Sequence, residues 1–445
     1  MTDRTTDHWL GRHYAADHVH GPIAFLNPTT RFQALDRPKS SSINASQKDA
    51  QAGGAETASS SGSPPPPPPS PPSSSSHTGV YSVWRSRDNR KGRHALHLTP
   101  SRAEGIATPF KHTNTLSAAL AGIGRMLLRW PVWDVSYDVA VVFTLGSVVW
   151  VCNGFFVLIP LISPMSSFSG ESSWGGGVSA VVGATIFELG SVLLMIEAVN
   201  ENRSECFGWA LEHAVDRSEE GLLLRKQDVS DCQHHHSEKN TFVSNNDGAF
   251  NESESVEKAG DETQAKRRKW TWWPSWYELR THYFRDIGFL ACLSQFFGAT
   301  VFWISGFTGL PQILNVLTVP AENGIYWLPQ VVGGTGFIIS SWLFMLETQS
   351  KWYIPAPSVL GWHIGFWNLI GALGFTLCGA FGFASSNEVY ESALTWSTFV
   401  GSWAFLIGSL IQWYESLDKY PIIVDKNLPH STTTETHAKE RKVRT

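Results

Sequence analysis

At 445 residues with a formal net charge of −5, the chain averages to a mean hydropathy of −0.12, a near-neutral value that conceals alternating very polar and very apolar blocks. Of five cysteines, Cys152, Cys292 and Cys378 lie in apolar runs and Cys206 and Cys232 in a polar loop, which excludes a disulfide framework. Six apolar runs, at about 139–162, 178–199, 287–310, 325–346, 360–383 and 393–414, are each long enough to cross a ~30 Å hydrocarbon layer as a helix. The chain therefore reads as an all-α, multi-pass membrane protein.

Residues 1–112 include "SGSPPPPPPSPPSSSS", which favours polyproline conformation and cannot bury a core. They are expected to form a disordered tail, acting as a spacer or as a ligand for protein partners. Over 113–130, Leu116, Leu120, Ile123, Leu127 and Trp130 recur at steps of four and three and place an apolar stripe on one helix. With Arg125 and Arg129 nearby, that helix is expected at an anionic lipid interface. Hairpin 1 follows at 131–199, then a mostly disordered polar loop at 200–265. Residues 266–347 comprise an interfacial segment and hairpin 2, 348–418 form hairpin 3, and 419–445 are a second tail.

Within the polar loop, "CQHHHSE" (232–238) has no spacing of a closed metal site, and no metal or cofactor is assigned. "KRRKWTWWPSWYELR" (266–280) pairs cations with aromatics as a nucleic-acid patch does. Its place just before a span instead predicts basic groups on anionic lipid, with Trp270, Trp272, Trp273 and Trp276 at the interface, and no nucleic-acid partner.

Loops 163–177, 311–324 and 384–395 contain no Lys or Arg, whereas Arg125, Arg129, Arg203, "KRRK", Lys351 and the final tail flank the opposite ends of the spans. This asymmetry predicts both termini and the 200–286 loop in the cytosol, in the plasma membrane or a vacuolar or other endomembrane. The N-terminus has no apolar h-region, so the first span is expected to direct insertion itself.

Three segments align without gaps: "VGATIFELGSVLLMIE" (182–197), "VGGTGFIISSWLFMLE" (332–347) and "VGSWAFLIGSLIQWYE" (400–415). In the helices before them, Gly146, Gly298 and Gly371 are followed at plus four by Trp150, Phe302 and Phe375, which predicts three tandem helical hairpins. The aligned Gly183, Gly333 and Gly401, with Ser191, Ser341 and Ser409, share a helix face and read as a packing seam. Glu197, Glu347 and Glu415 close each aligned segment at a helix C-terminus, where the dipole disfavours a carboxylate, so each calls for a cationic partner. Arg129, Arg285 and Lys351 are the expected ones. Glu188 aligns instead with Ile338 and Leu406, mid-span, and reads as a candidate intramembrane polar site with Asn153, Gln295, Ser294, Asn368 and His363.

"FTLGSVVW" (143–150), "FELGSVLL" (187–194) and "FLIGSLIQ" (405–412) share F-x-x-G-S on both helices of a hairpin. This pattern resembles the YrhK-like family of small two-helix membrane proteins, here as three units in one polypeptide, and the whole is similar to uncharacterised fungal integral membrane proteins. Departures fall at Ser340, Ala299 and Ala372. The resemblance implies a fold and carries no activity with it.

No G-x-S-x-G and no His-x-x-x-His occurs, and His363 alone cannot form a bis-histidine haem site, so no catalytic residue is assigned and no enzyme is expected. Two functions remain. One is a permeation pathway for a small solute, ion or proton, although an odd number of units lacks the inverted pairs of many transporters. The other is a non-enzymatic scaffold or sensor that recruits partners through its cytosolic regions.

Overall fold

The computed structural model describes residues 19–34, 80–93, 96–98, 115–212, 227–228, 269–419 and 421–424. Six long helices dominate it: α3 (Val135–Ile162), α4 (Gly177–Val199), α5 (Ile287–Thr308), α6 (Leu328–Thr348), α7 (Leu360–Gly382) and α8 (Glu388–Ser416). All six are long and apolar enough to cross a membrane, and with them the chain is a multi-pass membrane protein. Side-chain caps fix several starts. Asp134 accepts from the Ser136 N–H, Asp286 from Phe289 and Asn387 from Val389, so each helix begins with a satisfied amide.

Successive helices pack against one another from α3 through α8, and α8 closes back on α3, so three hairpins form one closed ring. At the end where α3 starts and α4 ends lie the described segments 80–93 and 417–419; the connections 163–176, 309–327 and 383–387 lie at the other end. We call these the terminal and loop ends.

Within the tail expected to be disordered at 1–112, the described residues 19–34, 80–93 and 96–98 are ordered, a correction for those stretches alone. Strands β1 (Val19–His20), β2 (Thr30–Ala34), β3 (Val80–Arg85) and β4 (Leu96–Leu98) pair antiparallel in that order, and β7 (Ile422–Val424) joins β4 in parallel. Between β3 and β4, α1 (Ser86–Arg90) and the turn after it pass under the bundle. Gly92 ends this strap at φ +62°, where a Cβ would stand 2.6 Å from the Ser204 hydroxyl, so only glycine turns the chain there. The loop expected to be disordered at 200–265 contributes β5 (Gln227–Asp228), paired with β6 (Lys269–Trp270). The proline run at 64–69 and the 232–238 tract lie outside the described residues.

Helix α2 (Leu116–Leu128) touches the bundle through Gly122, which meets the Tyr414 ring. Its apolar stripe faces away: Leu116 is 78% exposed and Leu127 70%. A stripe that finds no protein cover is what a helix lying in lipid presents. The four tryptophans expected at the interface separate. Trp273 and Trp276 are exposed, but Trp270 is fully buried among Val135, Leu194, Phe207 and Phe289, and Trp272 packs on Phe207. The Asn200 amide anchors this fold-back, bonding both the Thr271 carbonyl and its N–H at 2.8 Å.

Candidate functional site

The helical ring surrounds an axis closed by two aromatic triangles. Trp150, Phe302 and Phe375, aligned positions of the three first helices, meet with ring centroids 4.8 to 5.7 Å apart. Next to them Phe187, Phe337 and Phe405, aligned in the second helices, meet at 5.5 to 6.5 Å. Edge contacts at these spacings are favourable and leave no open bore. The seam glycines explain how the rings converge. A Cβ on Gly183 would collide with Trp150, on Gly333 with Phe302 and the Gly298 carbonyl, and on Gly401 with Phe375 and the Gly371 carbonyl. Each glycine lets its second helix lie against the first helix of its own hairpin.

On the loop side of the triangles lies a cavity of about 530 Å³, lined from all six helices and their connections, with Asn153, Glu171, Tyr326, Gln330 and Thr398 around the Trp150 floor. On the terminal side is a smaller chamber of about 40 Å³, lined by Ser147, Gln295, Ser341, Asn368, Ser409 and Gln412. Phe143, Phe187, Leu194, Phe344, Ile364 and Phe405 complete a lining that is more apolar than polar, around a volume sufficient for a water molecule. Gln295 and Asn368 occupy aligned positions, filled in hairpin 1 by Phe143, three residues before Gly146, Gly298 and Gly371.

Arg87, Arg90 and Lys91 of the strap line this inner chamber. Arg87 and Arg90 carry their guanidinium groups to the carboxylates of all three second helices. Arg87 binds Glu415 through two contacts at 2.6 Å, Arg90 lies 2.8 Å from Glu347 and 3.3 Å from Glu197, and Arg93 reaches Glu415 at 2.8 Å and Asp88 at 3.2 Å. The Arg87 head lies over Gly361, where a Cβ would meet it at 2.6 Å. Lys91 stands 4.0 Å from Glu197. Backbone bonds stitch the strap down: Asn202 N–H donates to the Asn89 carbonyl at 2.6 Å, and Lys419 donates to the Lys91 carbonyl at 2.7 Å while pairing with Asp134 at 2.6 Å.

Burial opposes the charge on Arg90, yet Glu347 and Glu197 hold its pKa above the ordinary value, and Glu415 and Asp88 do the same for Arg93. Lys91 behaves otherwise. Burial prevails over Glu197, Arg87 adds repulsion, and its ammonium is lowered to about 8.

The partners expected for the three carboxylates are thus corrected: the strap supplies the cations, and neither Arg129, Arg285 nor Lys351 does. One signal was available in the sequence. "RSRDNRKGR" (85–93) concentrates cations around a glycine turn, in number sufficient for three orphan carboxylates.

The polar set proposed around Glu188 does not assemble. Glu188 accepts from the Thr300 hydroxyl at 3.0 Å in a seam between α4 and α5, next to a 3.0 Å bond from Trp303 Nε1 to Thr185, and lines neither chamber. Asn153 donates to the Gly176 carbonyl at 2.6 Å and to Ser179 at 3.0 Å. Ser294 donates to the Gly336 carbonyl, and His363 bonds the Pro357 carbonyl outside the axis. Only Gln295 and Asn368 face a common space. Ser191 and Ser409 bond carbonyls of their own helices, and Ser409 also approaches Ser147 at 3.5 Å. Among the described residues no group of three His, Cys, Asp or Glu side chains has the placement of a metal site.

The architecture defines a closed six-helix membrane bundle with a plugged axis. No family model, curated protein or solved structure matches the chain.

Proposed function

We propose that this protein forms a non-enzymatic, gated axial pathway for a small solute, ion or proton, held here in its closed state. The supporting observation is the order along one axis: an open-sided cavity, two aromatic triangles, a small chamber of mixed lining and an ion-paired strap. Apolar constrictions between wetted chambers gate by excluding water, and opening them requires only that the hairpins shift apart. In this reading both termini are cytosolic, so the strap covers the cytosolic mouth, in the plasma membrane or a vacuolar or other endomembrane. The three hairpins are YrhK-like units joined in one fungal chain, and α2 rests on anionic lipid.

The test is flux of ions, protons and small neutral solutes into vesicles reconstituted with the full chain. Removing two rings in Phe337→Ala/Phe405→Ala should raise flux over wild type at equal folded protein. Absence of flux from both would favour the scaffold or sensor reading, which draws on the sheet joining both terminal segments under the bundle as a surface for partners.

A further inference from the structure

The loop-end cavity carries chemistry that the closed axis leaves unused, and we propose that it is a binding site for a small organic cation, an alkylated ammonium of choline size. This builds on the pathway reading, for which it names the solute.

The size is right: about 530 Å³ falls within the ~300–1,000 Å³ of small-molecule sites. Aromatic rings form part of its walls. Trp150, Phe302 and Phe375 form the floor, and Tyr326 and Trp327, with centroids 4.3 Å apart, stand at the side. Ring faces attract a cation whose charge is spread over alkyl groups and which sheds water readily.

The charge is right as well. Glu171 lines the cavity and is buried, with one oxygen accepting from the Phe168 N–H at 3.2 Å. It opens the helical run that continues into α4. Among the described residues, no Lys, Arg or His lines the cavity. Residues 163–177, 311–324 and 384–395 contain Glu171, Glu322, Glu388 and Glu391 and no Lys, Arg or His. Such a mouth concentrates cations and repels anions.

The discriminating probe is choline against 3,3-dimethyl-1-butanol, which has the same shape with carbon in place of the charged nitrogen. Calorimetric titration of the purified full chain in lipid nanodiscs should show saturable choline binding, with the neutral isostere weaker by about tenfold or more. Glu171→Gln and, separately, Tyr326→Leu should each weaken choline by a similar factor. Equal binding of choline and its isostere, choline binding unchanged by both substitutions, or no saturable binding of choline would each overturn the site. Binding without flux keeps the site and ends the pathway reading; flux without binding does the reverse.

Discussion

Arg90 Nη2 lies 2.8 Å from Glu347 Oε2, a fully buried contact between residues 257 positions apart that fixes the strap to the base of α6. The same guanidinium reaches Glu197, so one side chain holds the ends of two hairpins. Removing one partner of a buried pair leaves uncompensated charge, which costs more than the pair itself contributes. Arg90→Met should therefore destabilise the protein by about 3–5 kcal/mol, and Arg90→Met/Glu197→Gln/Glu347→Gln should recover a large part of that loss. Thermal unfolding in detergent reads both; equal stability of wild type and Arg90→Met would mean that the carboxylates are not held by the strap.

Lys91 makes stability depend on alkaline pH. Its folded pKa is about 8 against an ordinary 10.5, so between those values the native state holds fewer protons than the unfolded chain. Stability then rises with pH across that window, and below about 8 the cost of the buried charge is complete. Lys91→Met should melt higher than wild type at pH 7 and lose the rise between pH 8 and 10.5. An unaltered pH profile in the variant would assign the dependence elsewhere.

The seam glycines differ in what a methyl group would strike. On Gly333 it would stand 2.7 Å from the Gly298 carbonyl and the Phe302 amide, which are backbone and cannot swing aside; on Gly183 it would meet the Trp150 ring. Gly333→Ala should cost about 1–3 kcal/mol, the usual range for overpacking. Gly183→Ala should cost less, with unfolding midpoints as the measure.

Glu188→Leu removes the Thr300 bond and puts there the residue type that aligned position Leu406 already holds. An interhelical hydrogen bond in lipid averages about 0.6 kcal/mol, so the fold should tolerate the change. Because Glu188 lines neither chamber, flux should persist in Glu188→Leu and Glu188→Gln. Flux abolished in both, with protein still folded, would move the pathway from the axis to the α4–α5 seam.

The orientation has its own assay. A glycosylation acceptor with a spacer, inserted into 384–395, should be modified, and one in 216–262 should not. The reverse pattern would put the strap on the outer face.

What the sequence determined by itself is what bilayers and helices impose locally. Span length, the charge-free loops and the aligned V-G and terminal Glu positions define six spans in three hairpins, because hydrophobic thickness and helical periodicity act over stretches of a few turns. The aligned glycines likewise pointed to close packing, and they sit against Trp150, Phe302 and Phe375. Tertiary structure decided which charges meet. Glu197, Glu347 and Glu415 announced that they need cations, but Arg87, Arg90 and Arg93 come from a segment whose polar composition reads as disordered, and only ring closure gathers the three carboxylates into one target for it. The same holds for Gln295 and Asn368, which share a chamber, and for Glu188, which does not. Depth in a span is a property of the local sequence, whereas facing the axis depends on how each helix is rotated by its neighbours, and that is settled by packing across the whole ring.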